Sequence, residues 1–461
     1  MPHRPHFLNL TLALALTGCA VGPDYHRPAA RIPAAFQEAT GWLEATPSDA
    51  AARSDWWTGF GDAKLNDLET QVSVSNQTLA GSEAAYRQSQ AVVREQTAAL
   101  FPTVSLTGSA ARNGGGGPIP TTSTYKVGAG ASWAPDLWGG LRRGLEGARA
   151  GSQASAADLV NARLSLQVAL AIDYIQLRQF DEQKRILDET ALAYDRSREI
   201  IQNRYAAGVS AKSDLLSAQS QLATTRANKT DLAQQRAKLE HAIAVLIGKP
   251  PAELSLTPAP WTLTLPAIPP AAPATLLQRR PDVAAAERRV MAANAQIGVQ
   301  TAAYFPDITL TGQAGSQSGR LASLFSASTL AWSLGASAAE TIFDAGARKA
   351  KVAGARATYD QTVATYRQTV LTALAEVEDA LAAQKVLAEE HTLRRSALTA
   401  AKANAAIAHN QYLAGQTDYT AVVVAQTTAL SAQTSDLSIS AARLTIAVDL
   451  IAALGGGWDG R

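Results

Sequence analysis

The chain has 461 residues and a formal net charge of +2; it is 47% hydrophobic but only 6% aromatic, with a conspicuous load of Ala, Gln, Ser and Thr. Near-neutral charge without a basic cluster argues against nucleic acid as a partner, and six scattered histidines (positions 3, 6, 26, 241, 391 and 409) show no metal-ligand spacing. Alanine-rich, low-aromatic composition suits long close-packed helices better than a thick globular core.

The opening stretch MPHRPHFLNLTLALALTGCA has a basic start at Arg4 and an apolar run from Phe7 to Leu16. That run is too short to cross a bilayer, which takes ~20 apolar residues, and fits the h-region of a secretory signal. Leu16-Thr17-Gly18-Cys19 looks like a bacterial lipobox, which makes residues 1–18 a signal peptide and Cys19 the first mature residue. Cys19 is also the only cysteine. A lone thiol in an exported protein has no disulfide partner, so lipid attachment is its expected use; the alternative is an incidental cysteine beside an ordinary cleavage site. Ala20, not aspartate, follows it, the pattern of lipoproteins delivered to the outer membrane. Residues 19–60 are then a lipid-anchored N-terminal segment. No other apolar stretch is long enough for a transmembrane helix.

From residue 61 the chain reads as a helix up to Leu100, with Leu79, Val92 and Val93 set among Ala and Gln. Pro102 disfavours helix at the residue before it, so the helix stops there. Apolar or small residues then alternate at Val104, Leu106, Gly108 and Ala110, and again at Tyr125, Val127, Ala129, Ala131 and Trp133. Period two means strands with one apolar and one polar face, and Asn113-Gly114-Gly115-Gly116-Gly117-Pro118 between them is a turn. The expected hairpin covers about 103–135. A long proline-free helical stretch follows, roughly 141–203; it ends near Gly208, and a second helix runs near 211–247.

Residues 248–272 hold seven prolines, with an eighth at Pro273, and read as an extended linker. Beyond it the first half returns. FPTVSLTG (101–108) recurs as FPDITLTG (305–312), 204 residues later; GARA (147–150) recurs at 354–357, and RYAAGVS from Arg204 answers QYLAGQT from Gln411, both 207 residues later. The three-residue slip therefore falls between 108 and 147. The repeats are 61–247 and 273–454, followed by a tail, 455–461. The second hairpin is expected at about 307–342. The second long helix is expected at roughly 347–409, its apolar residues Val352, Tyr359, Val363, Tyr366, Val370, Leu374, Val377 and Leu381 stepping as in a coiled coil. It ends near Gly415, before a helix at 418–454.

Strands of roughly 10 residues are the length that crosses a bilayer at a tilt. Phe101 and Phe305 enter the strands while Trp138 and Phe343 leave them, an arrangement expected of an interfacial aromatic girdle. A soluble hairpin with an aromatic core is the other reading, and it would need a covering layer that the sequence does not supply. A membrane sheet must close on itself; four strands cannot, and an eight-stranded barrel is filled by its own side chains. Three copies give twelve strands and a lumen.

These features coincide with a known family. CAVGPDYHRP (19–28), DWWTGF (55–60), the run LLQRRPDVAAAERRVMAANAQIGVQTAAYFPDITLTG (276–312) and the RYAAG and QYLAG turns resemble TolC-like outer membrane factors, specifically the lipoprotein branch serving RND-type tripartite efflux pumps. The resemblance covers essentially the whole chain. It implies an α+β membrane protein: a homotrimer whose twelve-stranded β-barrel, four strands per chain, continues into a long periplasmic α-helical barrel. It also implies a periplasmic adaptor and an inner-membrane RND-type transporter as partners, with the outer membrane as the location. In that family tyrosine, carboxylate and arginine contacts close the periplasmic tip; Tyr412 and Asp214 stand at matching positions, beside the turns at Gly208 and Gly415. Simple packing and capping by those two residues is the alternative role. The chain departs from the pattern at Ala421 and Val424, where acidic residues are familiar, and at Thr417, where an arginine is.

No catalytic, cofactor or metal site is expected. Gly248-Lys249 is followed by proline and lacks the rest of a P-loop, and Ser123-Thr124-Tyr125-Lys126 is a chance SxxK inside a strand. Glu376, Glu378 and Asp379 read as a solvated acidic face, whose solvent is either bulk water or a tunnel lumen. The function expected is a passive outer membrane conduit for small molecules and drugs. A conduit for secreted protein or polysaccharide, or a pore-less structural lipoprotein, would share much of this pattern.

Overall fold

The computed structural model describes residues 20–31, 33, 36–38, 55–114, 121–266 and 280–456; the signal segment and Cys19 lie outside them. In chain order the elements are α1 (Ala63–Ser75), α2 (Gln77–Ala98), β1 (Thr103–Asn113), β2 (Thr122–Trp133), α3 (Gly140–Ala206), α4 (Lys212–Leu246), α5 (Pro281–Ala302), β3 (Asp307–Ser318), β4 (Leu330–Ala339), α6 (Ala347–Leu413) and α7 (Tyr419–Ala453). The chain gathers into two compact units. One is built from residues 1–30, 84–157 and 284–368, the other from 31–83, 158–283 and 369–461. No described helix is long and apolar enough to cross a membrane.

The first unit holds one antiparallel sheet in the order β1-β2-β3-β4. Because directly opposed residues share a face, the ladders decide where the alternation leads. Val104 faces Ala131, Leu106 faces Ala129, and Gly108 faces Val127. Trp133 faces Leu310 and Ala131 faces Gly312; Leu310 faces Ala336, Gly312 faces Leu334, and Ala314 faces Trp332. Every one of these positions lies on one side. The other side carries Thr103, Ser105, Thr107 and Ser109 with their partners Ser132, Gly130, Gly128 and Lys126, and Thr311, Gln313 and Ser333 beyond. Both β1 and β4 leave one edge of backbone donors and acceptors unpaired.

The ladders also locate the slip between repeats. Thr103 pairs with Ser132 and Asp307 with Ala339, so β1 maps onto β3 by 204 residues and β2 onto β4 by 207. The surplus lies between the paired strands, which end at Asn113 and resume at Thr122 in the first repeat and end at Ser318 and resume at Leu330 in the second.

α3 and α6 each run 67 residues without a break, about 100 Å at ~1.5 Å per residue. Both stop the same way. Gly208 (φ +76°) and Gly415 (φ +72°) take the left-handed conformation, and Val209 N–H donates to the Arg204 carbonyl at 2.8 Å as Gln416 N–H does to that of Gln411 at 2.9 Å. That is a glycine C-cap in which the following residue closes back onto the last turn. The starts of the next helices differ. Asp418 caps α7 by accepting from Ala421 N–H at 2.9 Å, whereas Ala211 brings no side-chain cap to α4.

The second unit is cored by Trp56, Trp57 and Phe60 from the end of the N-terminal segment and Leu65, Leu68 and Val72 of α1, packed on Leu170, Tyr174 and Leu177 of α3, Ile243 of α4, and Leu444, Val448 and Ile451 of α7. The coiled-coil stripe of α6 enters this unit as Val370, Val377 and Leu381, all buried. Ionic contacts fasten the linker here. Asp181, almost fully buried, pairs with Arg178 at 2.9 Å and Arg236 at 2.6 Å. Arg178 also donates to the Thr257 carbonyl at 3.1 Å, Asp181 accepts from Ala259 N–H at 3.3 Å, and Glu240 and Arg236 hold the Leu256 backbone from both sides. The linker residues 250–266 carry no regular element other than a short 3-10 turn at Pro251–Glu253.

Candidate functional site

The sheet presents two faces of different chemistry. A groove of about 420 Å³ lies along its polar face, lined by Ser105, Thr107, Lys126, Gln313, Gln317 and Ser333. Its floor is glycine for a steric reason: a Cβ on Gly315 would lie 2.6 Å from the Val127 carbonyl oxygen and one on Gly128 3.1 Å from that of Ala314. The opposite face is apolar yet open, with Leu106 81%, Leu334 80% and Trp332 75% exposed. An apolar sheet face with no cover of its own is matched by lipid, and a polar concave face by water.

The four aromatics that flank the strands part company. Trp138 stacks on Phe305 with centroids 4.9 Å apart, and its indole N–H donates to the Pro306 carbonyl at 2.8 Å. Phe101 and Phe343 stay exposed. The first pair locks a strand entry; the other two are free to meet an interface.

At the tip the structure joins residues that the sequence kept apart. Tyr412 is buried, packs edge-on against Tyr419 at 5.3 Å, lies under the Arg204 guanidinium at 5.1 Å, and shares a 3.2 Å hydrogen bond between its hydroxyl and that of Ser210. Ile201, Ala218 and Val422 complete the cluster. Tyr419 donates to Gln221 Oε1 at 3.4 Å, and burial, with smaller contributions from Tyr412, Tyr194 and Asp214, pushes its hydroxyl up to about 12. Asp214 is half-buried in the first turn of α4; among the described contacts it has none with Tyr412. Sequence reasoning missed Arg204, Ser210 and Tyr419. The RYAAG–QYLAG match held a usable signal, because an arginine beside a tyrosine one turn before a helix-ending glycine can reach a ring across the hairpin.

The acidic run on α6 is solvated, with Glu376 and Asp379 exposed, and two of its carboxylates also hold specific partners. Glu376 pairs with Arg280 at 2.6 Å, and Glu378 accepts the backbone N–H groups of Gln37 at 2.8 Å and Glu38 at 3.1 Å. These contacts form because α6 lies beside both the N-terminal segment and the entry to α5. A cavity of about 730 Å³ borders Asp379, Arg280, Asp282 and Asp449, and burial raises the Asp449 carboxyl.

Glu69 of α1 is a different acid. It is wholly buried, neither carboxylate oxygen has a hydrogen-bond partner, and burial pushes it up to about 9. It is therefore neutral at pH 7. Among the described residues no group of three or more His, Cys, Asp or Glu could hold a metal ion.

Two faces of opposite polarity, an open-edged sheet and two long helical hairpins agree with what the chain resembles. The model of the "Outer membrane efflux protein" family matches residues 69–249 and 272–456. The chain belongs to that family. The probable efflux pump outer membrane protein SepC of Pseudomonas putida F1 is 31% identical over 473 residues, covering 99% of this chain and 98% of that one. The cation efflux system protein CusC of Escherichia coli O6:H1 is 29% identical over 456 residues, covering 98% of each. The solved structure of the outer-membrane channel OprN superposes with a TM-score of 0.86 at 34% identity over 95% of this chain and all of that one. The chain is thus an efflux channel of the outer membrane with an α+β fold, four strands to a chain.

Proposed function

We propose that three copies join edge to edge into a twelve-stranded barrel and act as a passive conduit, receiving small molecules and drugs from a periplasmic adaptor and an inner-membrane RND-type transporter. The observation that carries this is the sheet register: it puts every large apolar side chain of four strands on one face and leaves both edges unpaired. An unpaired edge in lipid costs several kcal/mol per backbone group, so copies complete one another. No catalysis is needed for passage down a gradient that the partners maintain. The same reading divides the chain into a signal peptide (1–18), an anchored segment (19–60), two repeats (61–247 and 273–454) joined by a linker (248–272), and a tail (455–461). Cys19 carries the lipid, Tyr412 and Asp214 act at the periplasmic tip near Gly208 and Gly415, and Phe101, Trp138, Phe305 and Phe343 mark the membrane base.

Planar-bilayer recording tests the conduit: purified protein should give unitary openings of one defined size, and a protein that inserts without conducting would remove the reading. Deleting the chain should sensitise cells to a panel of drugs if efflux is its work, and should instead block export of a protein or polysaccharide if it is not. Cys19→Ala should shift the mass of the mature protein by the missing acyl groups; an unchanged mass excludes lipidation.

A further inference from the structure

We infer that Arg112, at the outer end of β1, and Arg320, just beyond β3, form a binding site for a phosphorylated glycolipid of the outer leaflet, one phosphate to each guanidinium. This rests on the barrel reading above and adds the lipid that its outer rim selects.

Charge is spread unevenly along the two hairpins. Residues 103–135 and 308–339 contain no Asp or Glu, and their charged residues are Arg112, Lys126 and Arg320. The nearest acids, Asp136, Asp307 and Glu340, stand where the strands meet the helices. All three cations lie toward the turns, the end remote from the helices. Both arginines are exposed, and among the described residues neither side chain has a hydrogen bond or an ion pair. A second copy joined along either sheet edge would bring the same acid-free strands. No carboxylate is on hand at this level, so the anion that pairs these guanidinium groups comes from outside the protein.

The ladders put Arg112 on the lipid side. It pairs with Ser123, and the alternation that turns Leu106 and Ala110 toward lipid turns Arg112 the same way. Lys126 instead pairs with Ser109 and Gln317 on the polar side. Along β3 the lipid side changes from Leu310 and Ala314 to Ser316 and Ser318 as the turn approaches, and the row of Ser318 holds Tyr125. That is a passage from hydrocarbon to headgroup with a tyrosine at the boundary. Ser318 also fixes the loop. Its hydroxyl accepts from Arg320 N–H at 3.1 Å and shares a 2.6 Å hydrogen bond with that of Ser323, which draws the chain at Arg320 toward the lipid side. Leu321 and Phe325 of the same loop are exposed, as side chains that dip into a bilayer would be. β1 and β3 are two strand spacings apart, about 10 Å. Two guanidinium groups so spaced, each able to take a phosphate through paired N–H···O bonds, suit a lipid with a phosphate at either end of a disaccharide headgroup. A lipid with one phosphate would use only one of them.

Native mass spectrometry of the full-length protein in mild detergent, mixed with diphosphoryl lipid A, tests this. The wild type should retain the lipid, and retention should fall roughly fivefold for each arginine replaced in Arg112→Gln and Arg320→Gln. Lys126→Gln removes the same charge from the polar side and should bind as the wild type does. Monophosphoryl lipid A and phosphatidylglycerol should bind the wild type more weakly than the diphosphoryl form, and the double glutamine variant should bind all three alike. Equal retention by the wild type and the double variant overturns the site, as does an equal loss in Lys126→Gln, which would report net charge alone. A wild type indifferent to the number of phosphates overturns the pairing of the two arginines. Where the double glutamine variant fails to fold, Arg112→Lys/Arg320→Lys keeps the charge but loses the forked contact; it should lose the preference for the diphosphoryl form, and a retained preference overturns the proposal. A wild type that does not insert into liposomes overturns the barrel reading beneath it, whatever the lipid titration shows.

Discussion

The belt of buried side chains packed around Trp56 in the second unit and the four-stranded sheet of the first solve opposite problems. The belt finishes itself inside one chain: its aromatic and aliphatic side chains are buried, and its central carboxylate, Asp181, meets two arginines and a backbone N–H. The sheet finishes nothing alone, since β1 and β4 are exposed along their whole length and its apolar face has no layer over it. The difference teaches that burial in an isolated chain measures who supplies the partner atoms, and a membrane strand takes them from lipid and from copies of itself.

The comparison breaks most sharply at Asp181. Asp181→Ala leaves two guanidinium groups beside an emptied buried site, and a change of this kind costs ~3–5 kcal/mol; thermal unfolding should show it as a large loss of stability even in the monomer. In the sheet, Leu310→Asp should cost up to ~2 kcal/mol by placing a charge toward lipid and should lower oligomer yield, while Thr311→Asp on the polar face should not; equal yields would erase the distinction between the faces. Glu69 sharpens the comparison from within the belt. Its carboxyl is raised in the folded state, to about 9, so the native chain keeps a proton that the unfolded chain releases above about 4.5. Stability therefore falls as pH climbs from about 4.5 toward 9, by up to ~1.4 kcal/mol per pH unit. Glu69→Gln should raise the melting temperature clearly at pH 8 and hardly at pH 5. The smallest effect belongs to the tip: Tyr412→Phe removes only the bond to Ser210, ~1 kcal/mol, and leak conductance should rise slightly, more so for Tyr412→Ala.

Much of the fold could be read from residues alone, because alternation, proline and glycine act locally. Phe101-Pro102 and Phe305-Pro306 mark the end of a helix, and the glycine run and the QYLAG turn mark reversals. Contacts between distant residues were the part that local pattern could not reach. Glu378 meets Gln37 across 341 positions, and nothing in an acidic run announces that two backbone amides will find it. Tyr412 was visible through family likeness, yet its partners Arg204 and Ser210 come from the other repeat, so only folding brings them to the ring. Asp214, visible in the same way, stands near Tyr419 instead.

The contact between Arg204 and the Tyr412 ring has a further consequence. Among the described residues Arg204 has no carboxylate within salt-bridge distance, so a ring face and not an opposite charge holds this guanidinium. Dissolved ions weaken exposed charge pairs within a distance of ~10 Å at 0.1 M, but they have little hold on a short, sheltered contact with a quadrupole. This contact should therefore keep its strength from dilute fresh water to brine, where one between acids and bases would loosen.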